Sequence, residues 1–320
     1  MESKASFNPR RDIYLMEDPR LESAIEVALD LGMPLMVTGE PGTGKTRLAY
    51  YVAQQLVGAE QPLIFNTKTS AKAKDLFYKY NALTHFRDAQ SGKPDINPMD
   101  YISFEPLGRA ILESANKRNV VLIDEIDKAP RDFPNDVLFE FEELAFRVEE
   151  ASVEETKQWA EKQAAGGTYA GVKVDDQGFI RFAGKQEERP VLLITSNTEK
   201  NLPEPFLRRC VYYHIPFPGK EILKKIVQAK VPLEAGFVER MLPAALEYFR
   251  EIREKKLRKP PATAELIAWI HLLNKNAINV ALNRARGADE QLKEELLRTF
   301  TVLLKNKEDR TRMEEELKRL

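Results

Sequence analysis

The chain has 320 residues, 43% hydrophobic and 31% charged, which allows one large or two ordinary domains with a substantial core and argues against disorder. Forty-nine basic residues against fifty acidic ones give a formal net charge of -1, which argues against broad electrostatic adhesion to nucleic acid or an anionic membrane. The single cysteine cannot form an internal disulfide. The three histidines, His85, His214 and His271, lack zinc-ligand spacing, and no run approaches the ~18 apolar residues of a membrane span. With no apolar signal core in "MESKASFNPRRDIYLMEDPR", the expected location is cytoplasmic.

In chain order, "DPRLESAIEVALDLG" has apolar residues at helical spacing and stops at Gly32. "MPLMVTG" reads as a short buried strand, "KTRLAYYVAQQLVG" as a helix closing on Gly58, and "QPLIFNT" as a second strand. The spacing in "SAKAKDLFYKYNALTHFRDAQSG" predicts a helix, with Phe77, Tyr78, Tyr80 and Phe86 read as core aromatics. "NVVLIDE" is a third strand, apolar on both faces as parallel strands between helices are. "DFPNDVLFEFEELAF" reads as helix, and the polar stretch from Glu149 to Arg189 as a helix followed by a hairpin. "RPVLLITSN" and "CVYYHIPF" are the fourth and fifth strands. This alternation predicts an α/β fold, a doubly wound parallel sheet, through residue 217. Beyond "PFPGK" everything reads as helix, so the expected domains are 1–217 and 218–320.

Three stations carry chemistry. The first is "GEPGTGKT": Gly39, Glu40, Pro41, Gly42, Thr43, Gly44, Lys45 and Thr46, between a predicted strand and a predicted helix, as a phosphate loop requires. Its glycines let backbone N–H groups curl around phosphate oxygens, and the following helix offers them its positive end. Lys45 is expected to reach the outer phosphates and Thr46 to ligate Mg²⁺. The second station is "VVLIDEIDKAP". Asp124 ends an apolar strand as the expected metal-side carboxylate, Glu125 follows as the expected water-activating one, and Asp127 is read as a helix cap or a further site residue. The third is Asn197, a neutral amide at a strand end that can hydrogen-bond a γ-phosphate oxygen and the attacking water together.

In this order the stations resemble the AAA+ ATPases over roughly residues 12–275. Within that group, "DEIDKAPRDFPNDVLFEFEE" and "TSNTEKNLPEPFLRRC" look most like the MoxR branch, with a looser likeness to modification-dependent restriction GTPases. The resemblance implies a five-stranded AAA+ core in which the Asn197 strand lies between those leading to Gly39 and Asp124, and a C-terminal all-helical lid. It implies ATP and Mg²⁺ as cofactors, and Arg209 as an arginine finger entering a neighbouring subunit's site, with Arg208 as runner-up. Cys210 stands where the pattern usually has an aromatic and is read as a small buried hydrophobe. Two departures stand out. Glu265 occupies the position of the lid's arginine sensor, so either Arg258 or Lys259 substitutes or lid sensing is weakened, and Glu105-Pro106 replaces a Gly-Pro pair. Tyr14 and Leu15 are the candidate neighbours of the base.

Two functions follow. One is an ATPase in a homo-oligomeric ring, expected to be hexameric, that remodels or activates a protein client, possible clients being von Willebrand factor A-domain proteins. The alternative is a nucleic-acid-linked motor or restriction subunit, with GTP as a candidate substrate. Neutral net charge and the absence of helix-turn-helix or zinc-finger spacing weigh against the alternative.

Overall fold

The computed structural model describes Tyr14, Met16 and residues 18–197, 202–285 and 289–319. The chain packs as two units. One runs to Gly39 and resumes over Lys45–Ile215; the other contains Tyr14, Glu40–Gly44 and the chain from Pro216 onward. The packing thus divides the chain between Ile215 and Pro216, and it groups the middle of the glycine loop with the helices.

The first unit is built on five parallel strands: β1 (Leu35–Thr38), β2 (Leu63–Asn66), β3 (Val120–Asp124), β4 (Val191–Ser196) and β5 (Val211–His214). Their spatial order is β5-β1-β4-β3-β2. The strand before Asn197 therefore lies between the strands leading to Gly39 and Asp124, as the resemblance implies. β1 and β4 are buried along their whole length. That accounts for "LMVT" and "VLLITS": a central parallel strand covered on both faces tolerates side-chain polarity only near its end. Met36, Ile123 and Ile194 join the same apolar core as Phe133 and Trp159.

Helix α1 (Pro19–Leu31) begins with Asp18 accepting a hydrogen bond from the Arg20 N–H at 3.0 Å, and it ends at Gly32 in the left-handed conformation, φ 63°. Helix α2 (Lys45–Val57) follows the glycine loop. Residues 70–92 are not one helix. A short turn at Ala73–Leu76 leads into a strand, Tyr78–Tyr80, paired antiparallel with Ile102–Phe104, and the helix starts only at Ala82. Two forces override the helical spacing. Phe77 and Tyr78 are drawn into the core against Phe146, and the Asn81 side chain accepts from the Thr84 N–H at 3.1 Å to start a new helix. Phe86, read as core, lies exposed on that helix. Residues 132–146 likewise break at Val137, and Leu144 turns left-handed before a strand at Ala145–Phe146. The expected helix and hairpin follow: Val153–Ala164 is closed by a reciprocal Ser152–Glu155 cap, and Lys173–Val174 pairs with Ile180–Arg181.

In the second unit every regular element among the described residues from Lys220 onward is a helix, and these helices have their own core, in which Phe249, Trp269 and Phe300 are fully buried. The Trp269 indole N–H donates to the Thr299 hydroxyl at 2.7 Å, so burying this ring strands no polar atom.

Arg189, at the entry to β4, ties three distant segments together. Its guanidinium donates to the carbonyls of Gly32 at 3.1 Å, Phe141 at 3.3 Å and Glu142 at 3.1 Å, all at helix C-terminal ends. Burial pulls its pKa below the ordinary arginine value, but those carbonyls offer partners to the charge. Arg189→Met keeps the length of the stem and removes the donors. It is expected to cost about 2–3 kcal/mol, read as a lower urea midpoint at unchanged slope. An unchanged midpoint would mean that water satisfies these carbonyls equally well.

Candidate active site

The parallel register brings the C-terminal ends of β1, β3 and β4 side by side, the edge at which open α/β sheets bind ligands. Gly39 follows β1 directly, and the loop it opens has the backbone of an anion cradle. Gly39, Gly42 and Gly44 take φ values of 148°, 81° and 97°, where a side chain is strained. Space is closed to one as well: a Cβ on Gly42 would lie 2.8 Å from the Ala262 Cβ, and one on Gly44 would lie 3.3 Å from the Tyr14 ring. Leu15 lies outside the described residues. Thr43 folds its hydroxyl back onto the Glu40 carbonyl at 2.9 Å, and the buried Lys45 ammonium donates to the Gly39 carbonyl at 2.7 Å.

Thr46 stands in the first turn of α2 with its hydroxyl 3.1 and 3.2 Å from the two carboxylate oxygens of Asp124. One hydroxyl and one carboxylate, beside a loop shaped for phosphate, suit Mg²⁺, which keeps most of its shell for phosphate oxygens and water. Among the described residues no cluster of three His, Cys, Asp or Glu side chains is placed to hold a metal by itself. The hydroxyl of Thr46 and the carboxylate of Asp124 are oxygen donors of the kind such a metal takes.

A residue that no sequence motif singled out organises the acidic pair. Thr195, on β4, donates its hydroxyl to Asp124 Oδ1 at 2.6 Å and accepts the Glu125 N–H at 2.8 Å. This bond fixes the turn that carries Glu125 in the left-handed region, φ 56°, a conformation that costs a residue with a Cβ about 1–2 kcal/mol. The turn aims the Glu125 carboxylate along the sheet edge, where Oε1 accepts from the Asn197 amide at 3.3 Å and Oε2 pairs with Lys128. Asp127 does not cap the following helix; its carboxylate accepts from the Asn197 N–H at 3.3 Å. The structure thus brings Thr46, Asp124, Glu125 and Asn197 together, with Thr195 and Asp127 as their supports.

The hydrogen bond from Lys128, reinforced by the one from Asn197 and by the charge of Lys45, holds the Glu125 carboxyl below its ordinary pKa. A depressed carboxylate pKa keeps the group ionised at neutral pH; its share of stability is present above the ordinary value and lost as the pH falls through the lowered one. With Glu125 39% and Lys128 52% exposed, that share is small. The chemical consequence is a carboxylate that stays ionised at neutral pH.

Arg209 and Arg208 close the helix Glu204–Leu207, before β5. Arg209 pairs with Glu142 and donates to the Pro205 carbonyl at 3.1 Å; Arg208 pairs with Glu204 one turn back. Cys210 is half-buried and bonds the Phe206 carbonyl at 3.4 Å, and desolvation pushes its thiol up to about 12, which removes it as a nucleophile near neutrality. In the helical unit, Glu265 accepts from the Ala262 N–H at 3.2 Å and so caps its own helix. Arg258 pairs with Glu308, and the guanidinium that meets the glycine loop belongs to Arg253, bonded to Glu40 at 2.5 Å.

The family model described as ATPase family associated with various cellular activities (AAA) matches residues 35–218, more than half of the chain. No curated protein matches it. Thr195→Val keeps shape and removes both hydrogen bonds, and ATP turnover is expected to fall about 10–100-fold, the usual cost of losing a support behind a metal-side ligand. Steady-state turnover of the folded variant checks this; wild-type turnover would mean that Asp124 and Glu125 orient themselves without Thr195.

Proposed function

The chain belongs to the ATPase family associated with various cellular activities (AAA), and from that membership we propose the roles of its site residues and of its partners. It is an ATPase, a P-loop nucleoside triphosphate hydrolase. The observation that carries the assignment of roles is the convergence of Thr46, Asp124, Glu125 and Asn197 on one sheet edge beside the loop Gly39–Thr46.

In this reading the loop N–H groups and the helix α2 N-terminus hold the β- and γ-phosphates, and Lys45 exchanges its Gly39 carbonyl for an outer phosphate oxygen. Thr46 and Asp124 would hold Mg²⁺, which would supply charge neutralisation on the phosphate oxygens. Glu125 Oε1, the oxygen that already accepts from Asn197, takes the proton of the attacking water. The Asn197 amide holds that carboxylate in line and bonds the γ-phosphate. Asp127 steadies Asn197 through its backbone.

Arg209 acts in trans on a neighbouring subunit. Its pair with Glu142 is about half exposed on both sides, and such pairs contribute about 0–1 kcal/mol, so trading Glu142 for a phosphate costs little. Proteins of this family commonly assemble as rings, and we assign this chain to a hexameric one. Its helical unit is the lid, its work is remodelling or activating a protein client, and its setting is the cytoplasm. Likeness to the MoxR branch in "DEIDKAPRDFPNDVLFEFEE" supports a client carrying a von Willebrand factor A domain. No helix among the described residues is long and apolar enough to cross a membrane.

Glu125→Gln keeps the shape of the site and removes the proton acceptor. It is expected to bind ATP with near wild-type affinity in calorimetry while turnover falls about 10²–10⁴-fold; wild-type turnover would remove Glu125 from the role. Lys45→Ala and Arg209→Ala are each expected to be inactive, the first for want of nucleotide binding and the second while still binding it. Mixed in equal amounts under subunit exchange, they should rebuild ~1/4 of the interfaces with both parts intact. Absence of recovered ATPase activity under proven exchange would count against Arg209 and turn attention to Arg208.

A further inference from the structure

Arg253 lies near the end of the helix Leu242–Glu254, and neither a motif nor the lid-sensor position marks it. Its side chain is 13% exposed and makes three contacts at once. The guanidinium lies 3.4 Å from the centre of the Phe217 ring, donates through Nη1 to the Pro261 carbonyl, and donates through Nη2 to Glu40 Oε2 at 2.5 Å. Phe217, at the start of the helical unit, packs in a tilted arrangement against its core residue Phe249, with ring centres 6.3 Å apart. Pro261 leads directly into the helix Thr263–Lys275, and a Cβ on Gly42 would meet Ala262 and the Thr263 backbone nitrogen at 2.8 and 3.1 Å. Residues 40–44 of the phosphate loop are therefore braced at two points by the unit they pack with: by Ala262 against Gly42, and by Arg253 through Glu40.

We infer that Arg253 is a positioning residue for nucleotide binding, acting through Glu40 to hold the phosphate loop open in its cradle conformation. The inference rests on the ATPase reading above. The arrangement supplies a reason for a carboxylate in a loop meant for anions. Glu40 by itself repels phosphate, so its presence must serve the loop rather than the ligand. Arg253 neutralises it and, wedged between Phe217 and Pro261, fixes where it stands. A loop set in advance binds its ligand without the entropy of ordering itself. Glu265, on the neighbouring helix, is occupied with its own backbone cap, and Arg258 with Glu308, so neither makes this contact.

The sign of one substitution separates positioning from bare electrostatics. E40Q removes the carboxylate charge and leaves Arg253, still on Phe217 and Pro261, at most a neutral amide oxygen in place of the ion pair; Glu40 is more than half exposed, so the variant folds. Electrostatics alone makes E40Q bind MgADP as tightly as wild type or more tightly, because one negative charge near the phosphates is gone. Positioning makes it bind about tenfold more weakly. R253Q is expected to weaken binding by a similar factor, and the E40Q/R253Q double variant by no more than the worse single variant, since both remove one interaction. Calorimetry with MgADP reads affinity without turnover. Wild-type binding of MgADP tests the nucleotide assignment itself. With that established, an E40Q variant of unchanged or tighter affinity, or additive losses in the double variant, overturns the role of Arg253 alone. If R253Q does not fold, E40Q decides, and R253K, which keeps a charge for Glu40, should recover part of the affinity.

Discussion

The burial of β4 on both faces and both edges governs what the rest of the protein can do. A strand with β1 on one side and β3 on the other, covered above and below, must be apolar until it ends. Polar atoms that enter such a strand near its end must find partners at once, and Thr195 does, between Asp124 and Glu125. The same parallel register that buries "VLLI" puts the ends of three strands together, so the polar residues excluded from the core collect on one edge. Chemistry and core packing here are two results of one constraint.

The charged residues divide by exposure into two kinds. Arg189 is largely buried and bonded to three carbonyls, and a group so placed cannot be removed without stranding its partners. Lys128 with Glu125, Arg208 with Glu204 and Arg209 with Glu142 are exposed pairs of small net worth. Weak pairs suit residues that must exchange partners during a reaction cycle. Arg253 stands between the kinds: its side chain is largely buried over the Phe217 ring, while its carboxylate partner is open to water. That combination anchors the arginine and leaves the loop it holds able to answer a ligand.

Several features were legible in the sequence because they depend on residues close together in the chain. The loop "GEPGTGKT" needs glycines at fixed spacing for a backbone that curls around an anion. "VVLIDE" needs an apolar run that meets solvent at two carboxylates, and the helical remainder shows in its periodicity. Local spacing also misled: residues 70–92 have a helical rhythm, yet the pull of Phe77 and Tyr78 into the core against Phe146 makes a strand of their middle. Only the tertiary structure decided that Thr195 would bridge Asp124 and Glu125, that Asp127 would support Asn197 rather than cap a helix, and that Arg253 would reach Glu40 from 213 positions away. The reason is physical. A strand or a loop is set by the conformational preferences of its own residues, whereas a hydrogen bond between distant side chains is set by register and packing, which no stretch of sequence contains by itself.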